Sequence, residues 1–201
     1  MDLQAMAQVL QRKGFKPSVF ESGEEALQAL MQLVPEGAQV GIGGSSTIGD
    51  MKIAEALQLR GNPVYWHWLV APQERPAEHE RAAHADFYLS STNALTEGGT
   101  FINIDGTGNR VAGMFFGPKN VVIICGRNKI CADEQAAIQR IKSVACPMNA
   151  RRLGLKTPCS ITDTCTDCKS SDRMCNVTTY LEHPTNGRTV YVYLINEDLG
   201  F

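Results

Sequence analysis

Residues 93–110 read N-A-L-T-E-G-G-T-F-I-N-I-D-G-T-G-N-R, and the remainder of the chain is predicted to fold around this stretch. Phe87–Ser91 has the composition of a strand, and the alternating residues 100–105 predict a second one. Between them lies a polar turn that holds Glu97 before two glycines. A carboxylate is therefore expected where the two strands meet, and Glu97 is the predicted catalytic residue.

The end of this stretch, G-T-G-N-R at 106–110, combines backbone freedom, exposed N–H groups and a guanidinium. Such a loop suits a carboxylate or phosphate. The predicted substrate-binding residues here are Asn103, Asp105, Gly108, Asn109 and Arg110. The alternative is an ordinary glycine-rich turn with solvated charges.

A second glycine-rich loop follows the strand predicted at 39–42 and precedes a helix that extends to about Leu57. Backbone amides, the start of the helix and hydroxyl groups would then point at one place, where an anion could rest. The residues concerned are Gly43, Gly44, Ser45, Ser46 and Thr47. The pattern is not a nucleotide fingerprint, because Ser46 replaces its third glycine and no Lys-Ser/Thr pair follows. A tight turn with a serine cap is the alternative.

The most apolar strand is predicted at 120–125, with the sequence N-V-V-I-I-C. An uninterrupted apolar run indicates burial on both faces of a parallel sheet. Lys129 follows this strand and is predicted to bind a carboxylate, although a solvated turn charge is equally ordinary. Strands alternate with helices over residues 1–145, which predicts a mostly parallel, layered α/β sheet.

Composition excludes several classes of protein. The chain has 201 residues, 43% of them hydrophobic, and a net charge of -2, so nothing favours nucleic acid as a partner. No basic leader opens the sequence and no apolar run reaches the ~20 residues that span a bilayer. We expect a cytoplasmic protein without membrane insertion.

Four of the seven cysteines cluster as C-x5-C-x2-C-x6-C: Cys159, Cys165, Cys168 and Cys175. Such thiolates can hold an iron–sulfur cluster or tetrahedral zinc. The single C-x2-C pair favours iron–sulfur, and free thiols are the alternative. Cys125, Cys131 and Cys146 are scattered, and the four histidines are expected on the surface or in the core.

The predicted organisation has three parts. Residues 1–155 form the α/β core, 156–188 a cysteine-rich loop segment, and 189–201 a terminal strand that returns to the core.

Several segments together resemble the lactate-utilisation (LUD) domain family. They are G-G-S-S-T, the whole of 93–110, G-P-K-N-V-V-I-I-C-G-R-N-K-I, P-M-N-A-R-R-L, the cysteine run and E-D-L-G-F. The resemblance implies a fold related to ribose-5-phosphate isomerase and the CoA transferases. In those relatives a glycine-serine-threonine loop binds phosphate and a Glu before glycine is the nucleophile, which corresponds to 43–47 and Glu97 here.

The family is associated with bacterial oxidation of L-lactate to pyruvate, in assemblies with separate iron–sulfur subunits. This sequence lacks the paired C-x2-C-x2-C-x3-C motifs of the larger member and resembles a small stand-alone form. The first hypothesis is therefore a component of 2-hydroxy acid oxidation that carries an iron–sulfur cluster and associates with other lactate-oxidation subunits or a second copy. The alternatives are a metal-independent transferase or isomerase acting through Glu97 on a phosphorylated or CoA-linked substrate, and a zinc-stapled ligand-binding protein.

Overall fold

The computed structural model describes residues 2–201, which form two β-sheets with helices packed against them. The strands are β1 Lys16–Phe20, β2 Val40–Ile42, β3 Val64–Trp66, β4 Phe87–Ser91, β5 Ala94–Thr96, β6 Phe101–Asp105, β7 Asn120–Gly126, β8 Ile130–Cys131, β9 Val177–Leu181 and β10 Thr189–Ile195. The α-helices are α1 Leu3–Arg12, α2 Gly23–Leu33, α3 Ser46–Asp50, α4 Ile53–Leu59, α5 Arg75–Ala83, α6 Asn109–Phe115, α7 Glu134–Arg140, α8 Cys146–Arg152 and α9 Pro158–Thr162.

The first sheet confirms the predicted parallel α/β architecture. Its six strands run in the order β1-β10-β7-β4-β2-β3, and every neighbouring pair is parallel. β7 lies inside the sheet, with Val122 and Ile124 in one apolar layer and Val121 and Ile123 in the other. Alternating side chains therefore enter opposite cores, which is why the sequence of this strand is apolar without interruption.

The second sheet has the order β8-β5-β6-β9. The prediction that β4 and the strand at 100–105 meet at the Glu97 turn is wrong, because β4 belongs to the first sheet and the hairpin joins β5 to β6. The chain crosses between the sheets at Asn93. There Asn93 Oδ1 accepts from Ile104 N at 2.9 Å, and Asn93 N donates to Asn103 Oδ1 at 3.0 Å. Hydrogen bonds from side-chain amides thus replace backbone hydrogen bonds between strands at the point where the chain passes from one sheet to the other.

The structure differs in detail from the predictions for two segments of the chain. The single helix expected to extend to Leu57 is divided into α3 and α4, because Lys52 adopts a left-handed conformation with φ +52°. The segment 156–188, predicted as loop, contains α9 and β9. The sequence of β9, V-T-T-Y-L, is rich in β-branched and aromatic residues and pairs antiparallel with β6. The predicted terminal strand is confirmed as β10, which lies between β1 and β7.

A π-helical turn at Ile141–Ala145 joins α7 to α8. Pro147 follows at the start of α8 and has no amide hydrogen to donate to the preceding turn. Such turns occur frequently at functional sites. In residues 2–201 there is no helix with both the length and the apolar character needed to cross a bilayer.

Candidate functional site

A cavity of about 320 Å³, here called the main cavity, opens at the carboxyl ends of the parallel strands. Open α/β sheets commonly bind ligands at this edge. Eight of the residues predicted from sequence to bind substrate line it: Gly44, Ser45, Ser46, Thr47, Asp105, Asn109, Arg110 and Lys129. Gly43, Asn103 and Gly108 lie beside these residues, without belonging to the described lining.

Lys129 lies just after β7 and is only 2% exposed. Its Nζ donates to Thr47 Oγ1 and to Ser91 Oγ, both at 2.8 Å. Burial lowers the pKa of Lys129 to about 8. The amine is therefore held by neutral hydroxyl groups inside the cavity wall.

Arg110 is buried, and protein acceptors surround its guanidinium. The acceptors are the backbone oxygens of Ser91 and Ile104, the side-chain oxygens of Asn93 and Asn103, and the carboxylate of Asp105. A guanidinium has five N–H groups, so these contacts leave little capacity for a ligand. Arg110 supports the cavity wall and supplies positive charge, while its predicted contact with substrate stays a prediction.

The glycine loop after β2 has the serine cap that was the alternative interpretation of its sequence, and anion binding by the loop stays a prediction. Ser45 Oγ accepts from Ile48 N at 3.3 Å and so caps α3. Gly43 packs against Arg110, where an added Cβ would come within 2.7 Å of Arg110 Cγ. Ser46 and Thr47 follow on the cavity side. The loop brings hydroxyl groups close to Lys129.

Asp105 ends β6 and organises the second predicted loop. Its Oδ1 accepts from Gly108 N at 2.8 Å, and its Oδ2 lies 3.4 Å from Arg110 Nε. Gly108 adopts φ +90°, a conformation that glycine permits at no steric cost. The N–H of Gly108 is therefore used within the protein, whereas Asn109 borders the cavity.

Helix α8 contributes a wall of the main cavity that the sequence analysis did not predict. Cys146, Asn149 and Arg152 are spaced three residues apart and share one helix face. Asn149 Oδ1 accepts from Arg152 Nη2 at 2.7 Å. The guanidinium of Arg152 also lies 4.3 Å from the ring centre of Trp68, so its position is fixed from two sides.

The charge of the main cavity is positive. Its described lining contains the cationic side chains Arg75, Arg110, Lys129 and Arg152, against the carboxylate of Asp105. Charges of one sign along a cleft attract the opposite charge. The main cavity is therefore suited to a small anion.

Two histidines, His67 and His79, also line the main cavity, with ring centres 4.7 Å apart. Burial, followed by the neighbouring His79, lowers the pKa of His67 to about 4. Burial also lowers the pKa of His79. His67 Nδ1 and His79 Nε2 have no hydrogen-bond partner among residues 2–201. Both rings are neutral at pH 7, and each has one buried nitrogen without a hydrogen-bond partner among these residues.

Glu97 lies elsewhere, in the turn between β5 and β6. Its N–H donates to Cys131 O at 2.8 Å. The neighbouring Gly99 lies against α1, where an added Cβ would come within 3.0 Å of Val9 Cγ1. Asp105 is at the opposite end of the hairpin, and the described residues that line the main cavity do not include Glu97. Its catalytic role stays a prediction, and chemistry in the main cavity depends on other side chains.

A second, smaller cavity of about 40 Å³ is surrounded by cysteines and is here called the cysteine cavity. The four predicted metal ligands, Cys159, Cys165, Cys168 and Cys175, all line it. Cys146 joins them from the start of α8, although it is distant in sequence. The fold thus brings five thiols around one space.

Cys146 and Cys175 are in direct contact, with their Sγ atoms 3.5 Å apart. Their shared hydrogen bond lowers the pKa of Cys175 to about 7 and raises the pKa of Cys146. Two thiolates on one tetrahedral metal would lie roughly 3.8 Å apart, given metal–sulfur bonds of about 2.3 Å. The separation of this pair is close to that distance.

Arg173 holds the cysteine segment together where little regular structure exists. Its Nη1 donates to Cys168 O at 2.7 Å, its Nε donates to Cys175 O at 3.1 Å, and its Nη2 lies 2.8 Å from Asp167 Oδ1. Lys142 also borders the cysteine cavity. Nearby cations favour the thiolate form that binds metals.

The cysteine sulfur atoms around the cysteine cavity are of a type that binds metals. Soft sulfur donors suit iron–sulfur clusters and zinc. All seven cysteines are free thiols, and no group of three or more Cys, His, Asp or Glu side chains in the described part of the chain is spaced to hold a metal ion. The residue types therefore match those of a metal centre, whereas the positions of the thiols in the described residues do not form one.

The two cavities share a wall. Ile104, Cys146 and Met174 line both of them. Asn149 Nδ2 donates to Met174 Sδ at 3.2 Å, which links this wall to the α8 face of the main cavity. A ligand in the main cavity would therefore lie close to the cysteines.

The sequence matches the LUD domain family over residues 3–195. No curated protein matches the chain. Among solved structures, it is similar to the crystal structure of a DUF162 family protein from Deinococcus radiodurans, with a TM-score of 0.57 and 13% identity over 96% of this chain and 95% of that one. At this identity the similarity shows the fold alone. Because the family match covers nearly the whole chain, this protein belongs to the LUD domain family.

Proposed function

We propose that this LUD-domain protein is a redox component for a small 2-hydroxy acid such as L-lactate and its 2-oxo product. The acid binds in the main cavity, and the cysteine cavity carries an iron–sulfur cluster. The observation that carries the proposal is the shared wall, since Cys146 and Met174 border both cavities. Adjacent substrate and metal sites are what a redox component requires.

The carboxylate of the acid pairs with Arg75 and Arg152, which are the more exposed cations of the main cavity. A carboxylate matches the donor geometry of a guanidinium. Asn109 donates to the same ligand from the opposite loop. The C2 oxygen then lies deeper, toward Lys129.

Proton transfer is assigned to His67. Its imidazole lines the main cavity and is neutral at pH 7, because burial lowers its pKa to about 4. A neutral ring nitrogen can accept the proton of the C2 hydroxyl. His79 lies against this ring and fixes its orientation.

Oxidation of a 2-hydroxy acid to a 2-oxo acid releases two electrons and two protons. An iron–sulfur cluster bound by the cysteines would supply one-electron transfer. His67 takes the hydroxyl proton, so completion requires a partner subunit whose own redox group accepts both electrons and the proton from C2. The shared wall at Cys146 is where such electrons would leave the main cavity.

Oxygen-free purification followed by analysis of iron, acid-labile sulfide and zinc tests the proposal. We expect iron and sulfide together with visible absorption from thiolate ligation. Stoichiometric zinc without sulfide would instead support a stapled ligand-binding protein. Metal-free protein that turns over a phosphorylated or CoA-linked substrate would support a transferase or isomerase.

A further inference from the structure

Lys129 is a buried amine whose partners are two hydroxyl groups. We propose that Lys129 Nζ forms a covalent imine with the carbonyl carbon of a 2-oxo acid in the main cavity. This inference rests on the proposed binding of a 2-oxo acid and is independent of the metal. It changes Lys129 from a cation that attracts the substrate into a nucleophile that reacts with it.

The surroundings of Lys129 are unusual for a lysine. A fully buried lysine is ordinarily paired with a carboxylate. Lys129 is 2% exposed, and no carboxylate of residues 2–201 lies within ion-pair distance of its Nζ. Its contacts are Thr47 Oγ1 and Ser91 Oγ at 2.8 Å. Neutral partners stabilise the charged form less than a carboxylate would, which leaves an amine available for reaction.

The two hydroxyl groups use their own hydrogens elsewhere. Thr47 Oγ1 donates to Leu199 O at 3.4 Å, and Ser91 Oγ donates to Thr92 O at 3.5 Å. Both therefore present lone pairs to Lys129 Nζ. They can also exchange a proton with the oxygen of a substrate that lies against the amine, as imine formation requires.

The surroundings of Lys129 favour the neutral amine. Burial is the main cause that lowers the pKa of Lys129 to about 8; Arg140 and Arg110 act in the same direction, and Cys125 and Asp50 act against it. Roughly a tenth of such a group is neutral at pH 7, whereas an ordinary lysine near 10.4 is almost entirely charged. The fraction of reactive amine therefore rises between pH 7 and 9.

The reaction is balanced without an oxidant. The Nζ lone pair attacks C2 of the neutral 2-oxo carbonyl and a C–N bond forms. The nitrogen then loses its two hydrogens as protons, which pass through the hydroxyls of Thr47 and Ser91 to the C2 oxygen, and the bond between C2 and that oxygen breaks. The oxygen leaves as water, so an amine and a carbonyl give an imine and one water. The product withdraws electrons from C2, which is useful for any later step at the neighbouring carbon atoms.

The main cavity favours a 2-oxo acid over a neutral carbonyl compound. Arg75 and Arg152 line the same cavity as Lys129, and a guanidinium matches the carboxylate of a 2-oxo acid. A neutral ketone would lack this anchor. The specificity expected is therefore for carbonyl compounds with an adjacent carboxylate.

Borohydride trapping tests the inference directly. Protein incubated with pyruvate and then reduced should gain the mass of one 1-carboxyethyl group, and peptide mapping should place it on Lys129. Lys129→Arg should abolish the adduct while keeping the positive charge. The control variant Lys142→Arg changes a lysine of the cysteine cavity and should still form the adduct.

Calorimetric titration of the same preparation with pyruvate separates the two proposals. Binding of pyruvate without an adduct would overturn the imine alone. Absence of both binding and adduct would overturn the proposed substrate class as well. An adduct on other lysines, or an adduct that persists in Lys129→Arg, would also overturn the inference. If the variant does not fold, peptide mapping of the unmutated protein still shows whether Lys129 carries the adduct.

Discussion

The sulfur atoms of Cys146 and Cys175 lie 3.5 Å apart, although 29 positions separate the residues in sequence. Cys175 belongs to the clustered cysteines, and Cys146 begins α8, whose face lines the main cavity. The contact therefore ties the cysteine segment to the wall of the proposed substrate site.

Replacement of Cys165 and Cys168 by serine should remove the bound metal. These residues form the C-x2-C pair, and serine oxygen is a poor ligand for a soft metal centre. We expect iron and sulfide to fall to background in the double variant while circular dichroism stays unchanged. Cys131→Ser, outside the cysteine cavity, is the matched control and should keep its metal. An unchanged metal content in the double variant would show that these two cysteines are ordinary thiols that bind no metal.

Cys146→Ala tests whether the fifth cysteine takes part. Because its sulfur touches Cys175, we expect bound iron to fall below half of the content of unmutated protein. Measurement of iron per protein, again beside Cys131→Ser, checks this. Equal iron in Cys146→Ala and in the unmutated protein would confine the metal site to the C-terminal cysteines.

Arg152→Gln should weaken the binding of pyruvate about tenfold, or ~1.4 kcal/mol, because a charge-assisted hydrogen bond to the carboxylate is lost. Arg151→Gln is the control on the same helix. Arg151 lies outside the described lining of the main cavity and pairs with the exposed Asp163, so its loss should change affinity little. Equal losses in the two variants would indicate a general charge effect instead of a specific contact.

Glu97→Gln should leave the affinity for pyruvate within about twofold of the unmutated protein, since the Glu97 turn is separate from the main cavity. Calorimetry is again the measurement. A large loss of affinity with an intact fold would return Glu97 to the substrate site and would require a different arrangement from the one described.

His67 should make stability depend on pH. Its pKa is about 4 in the folded protein and about 6.5 when unfolded, so the unfolded chain binds more protons between these values. The free energy of unfolding therefore rises with pH across this window and falls as pH drops from 6.5 toward 4. In denaturant titrations, His67→Gln should flatten that rise, whereas the exposed His183→Gln should not. An unaltered slope in His67→Gln would contradict the half-buried, neutral ring.

Local sequence patterns predicted the fold well. Strand β7 is an apolar run whose composition indicates a strand buried in a parallel sheet, and the compositions of β4 and β10 indicate strands. Residues 44–47 of the glycine loop and Lys129 line the main cavity because both follow parallel strands, a position that chain order reveals.

The remaining site residues depend on contacts between distant parts of the chain. Cys146 follows the π-helical turn directly and lines the cysteine cavity, although it is distant in sequence from the other cysteines there. Arg152 and His67 belong to a helix and a loop whose packing has no short sequence signature. Spacing in the sequence could predict that Cys159 and Cys175 lie in one cluster. It could not predict the position of Glu97, because the hairpin that holds this residue is formed by β5 and β6, whereas β4 was predicted as its first strand.

The electron paramagnetic resonance spectrum of reduced, oxygen-free protein, recorded with and without saturating pyruvate, tests the central relationship most directly. If the substrate and the metal centre share the wall at Cys146, the spectrum should show an iron–sulfur signal whose g values shift when pyruvate binds. An absent signal, or a signal that is identical at saturating pyruvate, would contradict the account.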